Sequence, residues 1–118
     1  MLVVDDHEGT REVLSVALQL HGFNVETAEN GLEALDLLNS HQYQAVLTDF
    51  WMPEMNGVEL LHEIRARPGL AQLPIILMTA AHGTLPANAA DASGFIRKPF
   101  DADALLSALA AVDCDPMH

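Results

Sequence analysis

The feature that most constrains this chain is a set of short apolar runs that do not alternate: Leu2-Val3-Val4, Ala45-Val46-Leu47 and Ile75-Ile76-Leu77-Met78. A strand with one wet face alternates apolar and polar residues. Continuous apolar strands of this length suit a parallel sheet covered on both faces. Between the runs the period changes to that of a helix. Val13, Leu14, Ala17 and Leu18 share one face, with Gly22 behind them as a stop. Leu35 and Leu38 mark a second helix from Gly31 to Ser40, and Val58, Leu61 and Ile64 a third, ended at Arg67 by Pro68. Leu105, Leu109 and Val112 mark the last, with Asp101 as its N-cap.

Weaker signals fill the remaining places. Residues 23–27 alternate as an edge strand would, residues 93–97 are a fifth strand candidate, and residues 84–91 are a poor, short helix candidate. The order is strand then helix, repeated five times. Right-handed crossovers turn that order into a single doubly wound α/β domain: five parallel strands with helices on both faces, the fourth helix short or irregular. In such sheets the functional crevice lies beyond the carboxyl ends of the strands, where chain order reverses.

Composition bounds the partners. The 118 residues fit one domain, and folding hides roughly two-thirds of the surface of an unfolded chain this long. With 17 acidic side chains against 5 basic ones the net charge is -12, and a nucleic-acid binder needs the opposite sign to displace counterions from phosphates. Direct binding to DNA, RNA or an anionic membrane is excluded on that ground; basic protein surfaces and divalent cations are favoured. The single cysteine, Cys114, cannot form an internal disulfide, no Cys/His spacing resembles a zinc site, and the six histidines read singly as surface or packing residues. No apolar run reaches membrane-span length and no signal-peptide layout leads the chain, so a reducing cytoplasm is the expected location.

The strand ends carry the chemistry. The first expected strand ends in Asp5-Asp6, the third in Asp49, the fourth in Thr79 and the fifth in Lys98-Pro99. Each has a plainer reading alone: Asp5 and Asp6 as company for a helix N-terminus, Asp49 as a loop carboxylate, Thr79 as a strand residue, Lys98 as a solvated charge. Together, three carboxylates on one sheet edge repel unless a cation joins them, and a hard divalent ion with oxygen ligands resolves the conflict. The set suits phosphoryl transfer onto a carboxylate. Asp49 is the candidate nucleophile; a metal held beside it would neutralise phosphoryl charge, Lys98 and Thr79 would hold the remaining oxygens, and the small Ala80 would leave the entry open.

Other phosphate chemistries fit badly. A flavin site needs a hydroxyl- and glycine-rich loop after the first strand, where Asp-Asp-His-Glu stands instead. There is no GxxxxGKS/T loop and no GxGxxG turn. A haloacid-dehalogenase phosphatase needs a second Asp two residues after the nucleophile, and Trp51 occupies that place. Glu33, Glu59 and Glu63 read as exposed helix faces.

The chain resembles the receiver domain of bacterial two-component response regulators over nearly its whole length. The resemblance is carried by Val3-Val4-Asp5-Asp6, by residues 47–57 from Leu47 through Asp49, Trp51 and Pro53 to Gly57, by Met78-Thr79-Ala80, and by residues 94–100 with Phe95, Lys98 and Pro99. It implies a flavodoxin-like fold with strand order 2-1-3-4-5, and structural roles for Pro53, Gly57 and Pro99, the Lys98–Pro99 bond being usually cis in such domains. It implies that Asp49 accepts a phosphoryl group from a phosphohistidine on a sensor histidine kinase or histidine phosphotransfer protein. Magnesium, with manganese as an alternative, would be held by Asp6 and Asp49, by the Trp51 backbone carbonyl, and by Asp5 through water. Lys98 and Thr79 would contact the phosphoryl oxygens, with Ala80 beside them. Thr79 and Phe95 would move to reshape an output face read by a downstream protein partner, or by a second copy in a homodimer.

One departure stands out: the segment from Thr79 to Lys98 is shorter than usual for receivers by roughly one helical turn. With no linker or effector sequence after the last helix, the expectation is one free-standing receiver over residues 1–118, not an enzyme beyond its own aspartyl phosphorylation and dephosphorylation. The alternatives are the receiver portion of a hybrid histidine kinase or multidomain regulator, and a non-phosphorylated interaction module of the same fold. The latter would have lost an acidic-pair member, the acceptor or the lysine, and all are present.

Overall fold

The computed structural model describes residues 1–50, 55–79, 92–97 and 101–111. Among them run, in chain order, β1 (Leu2–Val4), α1 (Glu8–Leu20), β2 (Glu26–Ala28), α2 (Gly31–Ser40), β3 (Val46–Asp49), α3 (Gly57–Arg65), β4 (Ile75–Thr79), β5 (Gly94–Arg97) and α4 (Ala102–Ala111). The strands form one sheet in the order β2-β1-β3-β4-β5, and every neighbouring pair is parallel. The expected short helix over residues 84–91 lies outside the described residues.

The apolar runs behave as strands covered twice. Val3, Leu47, Ile76, Met78 and Ile96 point into a core with Leu14 and Leu18 of α1 and Leu105 and Leu109 of α4. Their neighbours Leu2, Val4, Val46 and Ile75 point the other way, against Ala34, Leu35 and Leu38 of α2 and Leu60, Leu61 and Ile64 of α3. The two-residue period of a strand thus serves both layers at once, which is why no polar residue interrupts these runs.

The helix ends follow from local chemistry. Gly22 takes φ 93°, and the Phe23 and Gly22 N–H groups donate to the Leu18 and Gln19 carbonyls at 3.0 and 3.1 Å. This closure uses a left-handed glycine and packs Phe23 on Leu18, both in the first core. It also corrects the expected strand over residues 23–27. Phe23 is spent on stopping α1, so pairing with β1 slides downstream and β2 begins at Glu26 opposite Leu2. Asn30 caps α2 by accepting from Glu33 N–H at 2.8 Å. Asp101 caps α4 as expected, accepting from Ala104 N–H at 2.8 Å. Among the described residues no helix is long and apolar enough to cross a membrane.

Candidate cation and phosphoacceptor site

The chain leaves β1 for β2 on one side and returns to β3 on the other, so the reversal of order falls between the carboxyl ends of β1 and β3. The register is Leu2 with Val46, Val3 with Leu47 and Val4 with Thr48; one step further sets Asp5 beside Asp49. The ends are fixed by backbone bonds. Asp5 N–H donates to the Ala28 carbonyl at 3.1 Å, and Phe50 N–H donates to the Met78 carbonyl at 2.9 Å.

Asp5 is wholly buried, and Asp49 and Thr79 are buried with it at the ends of their strands. The Asp6 side chain stays 30% exposed. One ligand atom from each of Asp5, Asp6, His7 and Asp49 lies within 4.8 Å of every other. His7 was not foreseen here. Its N–H donates to Asp5 Oδ1 at 2.9 Å, and its ring Nδ1 stands 3.3 Å from Asp5 Oδ1 and 3.2 Å from Asp6 Oδ1. Its adjacency to the acidic pair was the available signal. Arg11, one of the five basic residues, is drawn in as well: its Nη1 donates to the Asp5 carbonyl at 2.7 Å and ties α1 to the end of β1.

Gly57 lets α3 begin hard against the acceptor strand. A Cβ there would meet the Asp49 carbonyl oxygen at 2.6 Å and Phe50 Cα at 3.1 Å, so the start of α3 presses on the backbone next to Asp49. The Gly57 N–H donates to the Phe50 carbonyl at 2.8 Å. Asn56 and Glu59 close a reciprocal cap on this same turn, at 2.9 Å for the bond to Asn56 Oδ1 and 3.1 Å for that to Glu59 Oε1.

Phe95 on β5 is 41% exposed, which sets aside ordinary core packing for it. Trp51, Pro53, Ala80, Lys98 and Pro99 lie outside the described residues. The donor set fits a hard divalent cation: three carboxylates converge within the span of one coordination sphere, two of them removed from solvent.

Comparison with known proteins agrees with this geometry. The family model of the response regulator receiver domain matches residues 1–110. The transcriptional regulatory protein GlrR of Escherichia coli K12 is 41% identical over 114 residues, covering 92% of this chain and 25% of that protein. The transcriptional regulatory protein CpxR homolog of Haemophilus influenzae is 49% identical over 80 residues, covering 68% of this chain and 34% of that protein. The chain therefore spans a quarter to a third of the length of these curated relatives. Among solved structures, the response regulator protein TrrA of Thermotoga maritima, in complex with Mg2+-BeF, superposes with a TM-score of 0.86 at 36% identity, over 94% of this chain and 96% of that one. The chemotaxis response regulator CheY4 of Vibrio cholerae gives 0.84 at 32% identity, over 94% and 95%. With sheet order, acidic cluster and sequence in agreement, the chain belongs to the response regulator receiver domain family.

Proposed function

We propose that this domain is a magnesium-dependent phospho-accepting switch in a two-component relay, with Asp49 as acceptor. The observation that carries the reading is the convergence of Asp5, Asp6 and Asp49 where the sheet order reverses. The relative captured with Mg2+ and BeF, a phosphoryl-like group, supports it. Asp5, Asp6 and Asp49 would hold the ion, joined by the Trp51 carbonyl on the family's pattern. A bound divalent ion supplies charge neutralisation and polarises phosphoryl oxygens.

The Asp49 carboxylate attacks the phosphorus of a phosphohistidine; a P–O bond forms, the P–N bond breaks, and the imidazole leaves with its proton. Lys98 and Thr79 hold the transferred oxygens. Water later attacks the phosphorus, returning the carboxylate and inorganic phosphate. The catalysis is confined to the domain's own modification. Nearly two added negative charges at Asp49 then bias two packings of similar energy, and Phe95 reports the shift by its burial. The donor is a cytoplasmic histidine kinase or phosphotransfer protein, and the output goes to a protein partner. Because the chain spans a quarter of the curated relative GlrR, a receiver within a longer regulator is the second reading.

Incubation with acetyl phosphate and magnesium tests the acceptor. Intact mass should show a single added phosphate that is missing from Asp49→Ala. An unmodified wild type under saturating donor would end the proposal.

A further inference from the structure

We infer that His7 supplies a nitrogen ligand to the cation site, so that this receiver prefers a transition-metal ion such as Mn2+ or Co2+ over Mg2+ more strongly than an all-oxygen site would. The inference rests on the proposed cation site at Asp5, Asp6 and Asp49. Two independent features of His7 carry it. First, the residue holds the N-cap position of α1, with φ -92° and ψ 115°, yet its side chain makes no cap hydrogen bond. Asn30 and Asn56 do cap their helices, so the His7 ring is spent elsewhere. Second, the ring turns toward the carboxylates. Nδ1 lies 3.2 to 3.3 Å from Asp6 Oδ1 and Asp5 Oδ1, and one ring nitrogen shares the 4.8 Å cluster with Asp49.

Backbone geometry holds it there. The His7 N–H donates to Asp5 Oδ1, and the His7 carbonyl accepts from Arg11 N–H at 3.0 Å, so the residue is fastened on both sides of its Cα. Magnesium takes oxygen donors and keeps its waters. Imidazole suits later first-row ions, whose affinity for nitrogen sites rises from manganese toward copper. One ring among three carboxylates therefore raises transition-ion affinity while leaving magnesium affinity nearly unchanged.

The test measures Mg2+, Mn2+ and Co2+ binding by calorimetry at a fixed pH of about 8, where an ordinary imidazole is neutral, for wild type, His7→Ala, His7→Gln and Asp6→Asn. Mn2+ complexes are also examined by electron spin echo envelope modulation for directly bound nitrogen. The expected result is a loss of roughly tenfold or more in Mn2+ and Co2+ affinity on replacing His7, with Mg2+ affinity moving less than about twofold. The nitrogen modulation should vanish in both His7 variants, and the side chain is exposed enough for both to fold. If the His7 variants change all three ions alike, or none, and wild type shows no nitrogen modulation, His7 is not a ligand. If Asp6→Asn also leaves every affinity unchanged, there is no cation at the acidic cluster, and the proposed function falls together with this inference.

Discussion

Replacing Gly57 by alanine tests how tightly the acceptor strand is held. In an ordinary helix the change stabilises by about 0.4–1 kcal/mol, because the unfolded chain loses freedom. Here the new Cβ lands 2.6 Å from the Asp49 carbonyl oxygen and 3.1 Å from Phe50 Cα, both backbone atoms that cannot swing aside. Restoring ordinary contact at 3.4 Å means separating α3 from the end of β3 by about 0.8 Å. Overpacking of that kind costs about 1–3 kcal/mol, so the net loss should be about 1–2 kcal/mol. For a domain of this size each kcal/mol moves the melting temperature by about 4 °C, giving a drop of about 4–8 °C. Gly9, inside α1 with nothing within 4 Å of its would-be Cβ, is the control, and Gly9→Ala should raise the melting temperature by about 2–4 °C. Urea and thermal unfolding of both variants measure the contrast. Because the displaced oxygen belongs to Asp49, Gly57→Ala should also slow phosphorylation by acetyl phosphate. A Gly57→Ala protein as stable as wild type, or two variants shifting in the same direction, would refute the reasoning.

The reciprocal cap on the same turn gives a second measurement: Asn56→Ala should cost about 1 kcal/mol in urea unfolding, and a double replacement with Glu59→Ala should cost less than the sum of the single changes, because the two bonds belong to one closure. Burial, aided by the Glu26 carboxylate, pushes the Tyr43 phenol from 10.0 up to about 12. The folded state then holds this proton more tightly than the unfolded chain does, so the stabilisation is fully present below pH 10 and is lost as the pH rises through about 12. Tyr43 is the chain's single tyrosine, so phenolate absorbance titrates it alone, and a midpoint near 10 in the folded protein would contradict the burial argument.

Much of the site was legible because it depends on strand ends, and strand ends follow from where apolar runs stop. Val4 gives way to Asp5, Leu47-Thr48 to Asp49, and Met78-Thr79 closes β4, all within the register found. What could not be read depends on dihedrals and side-chain direction rather than period. Phe23 has the spacing of a strand residue but serves the glycine closure of α1, a choice made by Leu18 and Gly22 rather than by its own neighbours. His7 and Arg11 look like surface residues until the first turn of α1 brings one ring and one guanidinium back over Asp5. Phe95 carries the resemblance in sequence, but only the position of β5 at the sheet edge explains its exposure.

The carboxylates also bear on why the sheet settles in one register. Because both faces of β3 are covered by apolar helices, a slip by one residue would exchange Val46 and Leu47 between two cores that each accept aliphatic side chains. Polarity within the strand therefore penalises the slip weakly, unlike a strand with one wet face. The ends supply the penalty. Moving Asp49 one step inward would carry an ionised carboxylate from the crevice, where Asp6 still reaches solvent, toward the closed interior beside Leu77. An ion so placed costs several kcal/mol unless partnered, far more than a mismatch of one methylene. Asp5, already wholly buried, is fixed at the end of β1 by its N–H bond to the Ala28 carbonyl. The carboxylate that crowds the site with like charge thus also resists sliding of β3, and the acidic cluster sits where the apolar part of the central strands ends.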